Sequence, residues 1–117
     1  MLTPPDGAKL FLSLDAIDMR KSIDGLCAMI TDYFKEKPSS GNLFLFCSTN
    51  RRRIKILFFD RNGFVVYYKR LERGRFRFKI TREGVIEITV PQLQWLLAGL
   101  DFQLMQEFSE LDYTNFY

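Results

Sequence analysis

The stretch IKILFFDRNGFVVYYKRL, residues 54–71, predicts a β-hairpin. Two runs rich in β-branched and aromatic residues flank Asn62-Gly63, and Asn-Gly between two such runs is the strongest short-range signal for a hairpin with a type I′ turn. A two-residue loop at these positions predicts that Lys55 lies opposite Arg70, which places two cations side by side. Both faces of the hairpin are largely apolar, so we expect it near the centre of a sheet.

Further strands and two helices are predicted on either side of this hairpin. They are strands at residues 9–14, 43–47 and 84–90, a helix from about residue 22 to 36, and a helix that begins at Pro91, carries Leu93, Leu96, Leu97 and Leu100 as its apolar stripe and closes near Gly99. We therefore predict an α+β fold: a mostly antiparallel β-sheet with one helix near the N-terminus and one near the C-terminus. Residues 1–100 are expected to form a single domain, and residues 101–117 an acidic tail.

The segment RFRFKI, residues 75–80, alternates strictly between cations and apolar residues. The alternation predicts a strand that buries Phe76, Phe78 and Ile80 in the core. The other side of this strand then presents Arg75, Arg77 and Lys79 to solvent.

Positive charge is concentrated in one third of the chain. Residues 51–82 hold twelve Lys/Arg and two acids, a charge of +10, whereas the rest of the chain carries five Lys/Arg and twelve acids, a charge of −7. Arginines outnumber lysines in the basic segment, and guanidinium groups match phosphate oxygens and base edges. The basic segment is therefore a candidate footprint for a polyanion.

The composition argues against several other classes of protein. No apolar run approaches the roughly 18 residues that would span a bilayer. The start MLTPPDGAKL has no signal-peptide pattern, so we expect a cytoplasmic protein. The two cysteines, Cys27 and Cys47, lie in apolar segments and are expected to be reduced, buried thiols.

No residue pattern requires an active site. The chain has no histidine, which removes the commonest general base and the commonest transition-metal ligand. The carboxylates of Asp15, Asp18, Asp24 and Asp60 are candidates for a magnesium site, as in nucleases, but nothing in their spacing demands one. We predict a protein without enzymatic activity, cofactor, metal site or small-molecule substrate.

The motif DMRKSIDGL, residues 18–26, lies where a loop enters the first helix, and it has two interpretations. Arg20 and Lys21 near the positive end of a helix are unfavourable unless an anion such as phosphate lies between them and the helix amides. In the alternative interpretation Asp18 caps the helix and Asp24 neutralises the cations.

Three motifs in their order and spacing resemble a known family. DMRKSIDGL, then GNLFLF, then the stretch from IKILFFD to KRLERGRF are similar to the TnpB-type accessory protein, the second reading frame, of the IS66 family of bacterial insertion sequences. The resemblance covers about residues 10–100. It differs after Phe76, where family members often have Trp-Pro and this chain has RFKIT. Matching positions are Asp18, Met19, Arg20, Lys21, Asp24, Gly25, Lys55, Lys69, Arg70, Leu71, Glu72, Gly74 and Phe76.

The resemblance implies an accessory protein for transposition that acts beside a separate, larger transposase holding the catalytic carboxylates. We expect contacts with DNA and with the transposase and companion proteins of the same element. The predicted nucleic-acid-binding residues are Arg20, Lys21, Arg51, Arg52, Arg53, Lys55, Lys69, Arg70, Arg73, Arg75, Arg77 and Lys79. In the alternative, the basic face docks the transposase without touching DNA.

Overall fold

The computed structural model describes residues 2–78 and 84–101. Its strands are β1 (Leu10–Ser13), β2 (Leu43–Cys47), β3 (Arg53–Asp60), β4 (Gly63–Arg70) and β5 (Val85–Ile88). Helix α1 (Ile23–Met29) continues into a π-helical turn, Ile30–Phe34; a short 3-10 turn follows at Pro38–Ser40, and helix α2 is Val90–Leu97. The predicted α+β fold is confirmed.

The five strands form one mixed sheet in the order β4-β3-β2-β1-β5. β1 and β2 run parallel, with Leu12 opposite Leu45, and the chain between them contains α1. The pairs β1–β5, β2–β3 and β3–β4 are antiparallel, so the sheet is mostly antiparallel, as predicted.

Each face of the sheet has its own hydrophobic core because a helix covers each face. Leu26, Ile30 and Phe34 of α1 and its continuation pack on Phe44 and Phe46 of β2. On the opposite face α2 packs on alternate residues of the same strands; this core contains Leu10, Leu12, Leu43, Leu45, Ile54, Ile56, Phe76, Phe78, Leu93, Leu96 and Leu97. β2 is therefore buried at every position, as its continuous apolar sequence predicts.

The predicted register of the hairpin is wrong by two residues. Lys55 lies opposite Tyr68, and Arg70 lies opposite Arg53. The loop consists of Arg61 and Asn62, where Arg61 takes the positive φ of 54°, and Gly63 is already the first residue of β4. The turn is thus one residue earlier than the Asn-Gly signal indicates, and it is not type I′, because the φ of Asn62 is not positive.

The hairpin also lies at the side of the sheet rather than at its centre. β4 is an edge strand, and Val65 and Tyr68 are 39% and 49% exposed. The two faces of the hairpin are apolar because both faces of the sheet are covered by helices, so the expected central position was wrong.

The predicted helices are confirmed, with adjusted ends. Ser22 caps α1 by accepting a hydrogen bond from Gly25 N, so the interpretation in which Asp18 is the cap is wrong. Thr89 and Gln92 form a capping box at the start of α2, and Gly99 follows its end with a φ of 80°. Leu100 lies beyond α2 and is 43% exposed, so it does not continue the buried stripe.

Over the described residues 71–78, the segment after β4 keeps its predicted alternation but contains no strand of the sheet. Phe76 and Phe78 are buried in the α2-side core, and Arg75 and Arg77 are exposed. Arg77 forms only an isolated parallel bridge with Asp101. The predicted positions of Lys79 and Ile80, and the tail beyond residue 101, lie outside the described residues.

Candidate functional site

Most of the predicted binding residues lie in connections at one end of the sheet. Because β1 and β2 are parallel and β3 and β4 alternate in direction, the ends of β1, β2 and β4 and the start of β3 meet there. We call this region the basic end. Its predicted residues are Arg20 and Lys21 before α1, Arg51, Arg52 and Arg53 at the start of β3, Arg70 at the end of β4, and Arg73, Arg75 and Arg77 after it.

The loop before α1 is closed on itself by the side chain of Asp18. Its carboxylate accepts hydrogen bonds from Arg20 N at 2.9 Å and from the Arg20 guanidinium, whose shortest contact is 2.7 Å. The hydrogen bonds from Arg20 lower the pKa of Asp18 to about 2. Arg20 therefore already has an acid partner, although its side chain remains largely exposed.

Lys55 fastens the same loop to the hairpin. Its ammonium, on the α1 side of β3, donates to Met19 O at 2.5 Å and to Lys21 O at 3.1 Å. Lys55 is only partly exposed, and Met19 packs against the α1-side core. The DMRK loop is therefore held by a hydrophobic anchor and by two charge-assisted hydrogen bonds.

The connection between β2 and β3 is held by its own polar groups. Ser48 Oγ donates to Asn50 Oδ1 at 2.8 Å and accepts from Arg53 N at 3.1 Å. The same Asn50 oxygen accepts from Arg52 N at 3.1 Å. These bonds leave the side chains of Arg52 and Arg53 exposed.

Arg51 joins this connection to the segment after β4. Its guanidinium lies 5.5 Å from the centre of the Phe78 ring, and its carbonyl oxygen accepts from Phe76 N at 2.7 Å. Leu71 N likewise donates to Arg52 O at 2.7 Å. Arg51 therefore has a packing role, and backbone hydrogen bonds join the two arginine-bearing segments.

Lys69 has a comparable role on the opposite face of the hairpin. Its ammonium donates to Leu97 O at 2.8 Å, at the C-terminal end of α2. A cation at this end of a helix is favourable because the last carbonyls lack partners within the helix. Lys55 and Lys69 were both predicted as phosphate contacts, and the structure gives each of them carbonyl partners instead of a free ammonium.

Five further arginines of the basic end have no acid partner among the described residues, whereas Arg70 has one. Arg70 pairs with Glu72 at 2.8 Å. Within residues 2–78 and 84–101 the ion pairs are this one and Asp18–Arg20, so Arg52, Arg53, Arg73, Arg75 and Arg77 face solvent without a carboxylate partner. These five guanidinium groups can bind a ligand without giving up a carboxylate partner.

A cleft of about 530 Å³ opens between the two loops of the basic end. Its lining comprises Ala16, Ile17, Asp18, Met19, Ser48, Thr49, Asn50 and Arg53. The backbone of Ile17 forms a parallel bridge with Ser48, so the floor of the cleft continues the β1–β2 pairing beyond the strands. The cleft places the Arg53 side chain beside the loop that carries Arg20.

The four aspartates considered for a magnesium site are not brought together. Asp15 accepts a hydrogen bond from the Tyr33 hydroxyl, which in turn accepts from Gly84 N at 2.5 Å. Asp18 is engaged by Arg20, Asp24 lies in the first turn of α1, and Asp60 lies at the far end of the sheet, next to the hairpin turn. The described part of the chain has no group of three or more metal-ligating side chains.

Sequence reasoning missed the structural roles of Lys55, Lys69 and Tyr33. The available signal was a lysine at an interior position of an apolar strand, where a free ammonium is costly to bury. Such a position indicates a hydrogen-bonded partner, but the sequence does not say which one.

Comparison with known proteins gives a consistent assignment. A family model described as "IS66 Orf2 like protein" matches residues 8–107. The chain is similar to "Uncharacterized protein y4hO" of Sinorhizobium fredii (strain NBRC 101917 / NGR234), at 32% identity over 107 residues that cover 92% of this chain and 93% of the relative. It is also similar to "Uncharacterized protein y4jC" of the same strain, at 26% identity over 102 residues that cover 87% of each chain.

No solved structure matches the chain significantly. None of the helices within the described ranges combines the length and the apolar character needed to cross a bilayer.

Proposed function

The chain belongs to the IS66 Orf2-like family of proteins associated with insertion sequences, and from this premise we propose that it is a non-catalytic accessory protein that binds DNA during transposition. It acts in the cytoplasm beside the transposase and companion proteins of its element. The observation that carries the proposal is the group of exposed arginines at the basic end, Arg52, Arg53, Arg73, Arg75 and Arg77, which have no acid partner among the described residues.

The chemistry of this surface supports a phosphate backbone as its ligand. Guanidinium groups form bidentate hydrogen bonds with phosphate oxygens, and several of them on one rigid surface match a repeating polyanion. The hydrogen bonds of Ser48 and Asn50 and the contact between Arg51 and Phe78 hold the arginine-bearing backbone in place. Binding therefore needs little ordering of loops, which favours affinity.

Binding to a duplex DNA fragment at increasing salt concentration tests this proposal. If about five phosphates are neutralised, log affinity falls with log salt with a slope of about −4 to −5. Comparing the terminal repeats of the element with scrambled duplexes, with and without transposase, measures sequence preference and cooperation. Absence of binding to any duplex at about 50 mM salt would remove DNA as the ligand.

A second candidate function is docking of an acidic surface of the transposase without DNA contact. The observation that favours it is Tyr68, 49% exposed on edge strand β4 and two residues from Arg70. Tyrosine and arginine are enriched in the cores of protein interfaces. In this case Tyr68→Ser weakens capture of the transposase in a pull-down, and the salt slope stays well below that expected for a polyanion.

Magnesium-dependent nuclease activity would overturn the non-catalytic role that both proposals share. Incubating the purified protein with magnesium and a supercoiled plasmid gives the measurement. Cleavage that is lost in Asp18→Asn or Asp60→Asn would establish an active site in this chain.

A further inference from the structure

The ammonium of Lys55 binds the loop that carries Arg20 and Lys21, two of the predicted ligand-binding cations. It donates to Met19 O and to Lys21 O, at 2.5 and 3.1 Å, and these two carbonyls flank Arg20 in the chain. Three donors are available on an ammonium, and two of them are directed at this loop. An ammonium occupied in this way and partly buried is poorly placed to bind a phosphate as well.

We propose that Lys55 is a positioning residue that fixes the Arg20–Lys21 loop beside Arg53 and Arg70, and that it does not itself contact the polyanion. This inference rests on the proposed DNA-binding function and refines its site. Lys55 lies on β3, and its cross-strand neighbour Tyr68 and the adjacent pair Arg53–Arg70 are on the same face of the sheet. The loop is thereby attached to the strand from which Arg53 extends.

The other hydrogen bonds of residues 18–21 do not join Arg20 and Lys21 to the sheet. Asp18 and Arg20 satisfy each other within the loop, and Lys21 N donates to Asp18 O at 3.1 Å, so these bonds shape the turn without joining it to the sheet. Ile17 N donates to Cys47 O at 2.9 Å just before the loop, and within residues 18–21 the attachment to the sheet comes from the side chain of Met19 and from Lys55. Removing the ammonium therefore weakens the attachment that keeps the two cations beside the arginines of β3 and β4.

Lysine acetylation of the wild-type protein tests the inference without any substitution. In the free protein Lys21, which is exposed, reacts readily with an acetylating reagent, and Lys55 reacts at least about tenfold more slowly because its ammonium is engaged. Addition of duplex DNA protects Lys21 and leaves the slow rate of Lys55 unchanged. A rate for Lys55 equal to that of Lys21 in the free protein, or a large additional protection of Lys55 by DNA, would overturn the inference.

Limited proteolysis provides a second readout that is independent of DNA. Lys55→Met keeps an unbranched stem that ends at Cε and removes the ammonium, so trypsin cleavage after Arg20 and Lys21 accelerates by about tenfold or more. Lys55→Arg, which retains cationic donors, restores at least part of the protection. The matched control is Lys69→Met on the opposite face, which leaves cleavage at these two bonds unchanged.

A double-mutant cycle separates positioning from contact. Lys55→Met alone lowers DNA affinity, but in the background of Arg20→Gln with Lys21→Gln it has no further effect, because the cations that it positions are already absent. A direct phosphate contact instead gives the same loss in both backgrounds and reduces the salt slope by about 0.9 in each. Equal losses would overturn the inference.

These experiments distinguish failure of the Lys55 positioning role from failure of the proposed DNA binding. If the wild-type protein binds no duplex, the DNA-binding proposal fails, while acetylation and proteolysis still decide whether Lys55 holds the loop. If the protein binds DNA and the cycle is additive, the DNA-binding proposal stands and the positioning role fails.

Discussion

The alternation of buried phenylalanines and exposed arginines after β4 predicts opposite effects for neighbouring substitutions. Phe76 is fully buried and Phe78 is 4% exposed, whereas Arg75 and Arg77 face solvent. Phe76→Ala removes a ring from the α2-side core and leaves a cavity, at a cost of about 3–5 kcal/mol in the free energy of unfolding. Phe78→Ala costs a similar amount and also removes the ring that Arg51 covers.

Losses of this size are large relative to the stability of a small domain. Typical domains unfold with about 5–15 kcal/mol, and each kcal/mol corresponds to about 4–8 °C in Tm for a domain of this size. Each alanine variant is therefore expected to melt roughly 12–40 °C below the wild type. Circular dichroism at 222 nm during heating gives this measurement.

The matched variant is Arg75→Glu combined with Arg77→Glu. Exposed substitutions usually change stability by about 0.5 kcal/mol or less each, so its Tm stays close to that of the wild type. Its local charge changes by four units, and the loss of two phosphate contacts reduces the salt slope of DNA binding by about 1.8. If the glutamate variant unfolds while the alanine variants stay folded and lose binding, the faces are inverted and the aromatic rings form the exposed surface.

Two further predictions concern the turn and the loop before α1. Gly63→Ala is expected to lower the free energy of unfolding by no more than about 1 kcal/mol in chemical denaturation, because Gly63 lies in β4 without a positive φ and nothing lies within 4 Å of an added Cβ. Gly99→Ala, at a φ of 80°, is expected to be more destabilising. A larger loss for Gly63→Ala than for Gly99→Ala would indicate that Gly63 needs a positive φ, as in the Asn-Gly turn. The carboxyl of Asp18 is expected to titrate with a midpoint of about 2 instead of 3.8 in carbon-13 NMR. Because the pKa of Asp18 is lowered in the folded state, its ion pair with Arg20 stabilises the fold above pH 3.8 and loses this contribution as the pH falls through about 2. Arg20→Gln is expected to return the titration midpoint of Asp18 toward 3.8. An unchanged midpoint in this variant would show that Arg20 does not cause the lowered pKa.

The period-two pattern explains which parts of the hairpin were predictable. The pattern assigns Lys55, Leu57 and Tyr68 to one face and Ile56 and Lys69 to the other, and the structure confirms this assignment. A shift of two residues in register leaves every side chain on the same face, so the hydrophobic pattern does not distinguish the two registers. Only the Asn-Gly signal distinguished the two registers, and it indicated the wrong one, because the turn forms at Arg61 and Asn62.

The partners of the two strand lysines were not predictable because they are distant in sequence. Lys55 reaches carbonyls 36 and 34 residues away, and Lys69 reaches one 28 residues away. A backbone carbonyl carries no residue-type signal, so no pair of residue types indicates the contact. Basic residues in a basic segment were therefore interpreted as one class, although the structure divides them into cations that hold the fold and cations that face solvent.

That division bears on the functional interpretation of the charge that remains. Arg53 and Arg70 lie directly opposite each other at the end of the β3–β4 pair, and Glu72 pairs with Arg70 while Arg53 has no acid partner among the described residues. Like charges in directly opposed positions destabilise a sheet by several tenths of a kcal/mol to about 1 kcal/mol. An anion bound between the two guanidinium groups converts this repulsion into two attractive contacts. Binding of a phosphate backbone at the basic end should therefore raise the Tm of the protein, and Arg53→Gln should raise the Tm of the free protein while reducing the increase that DNA produces.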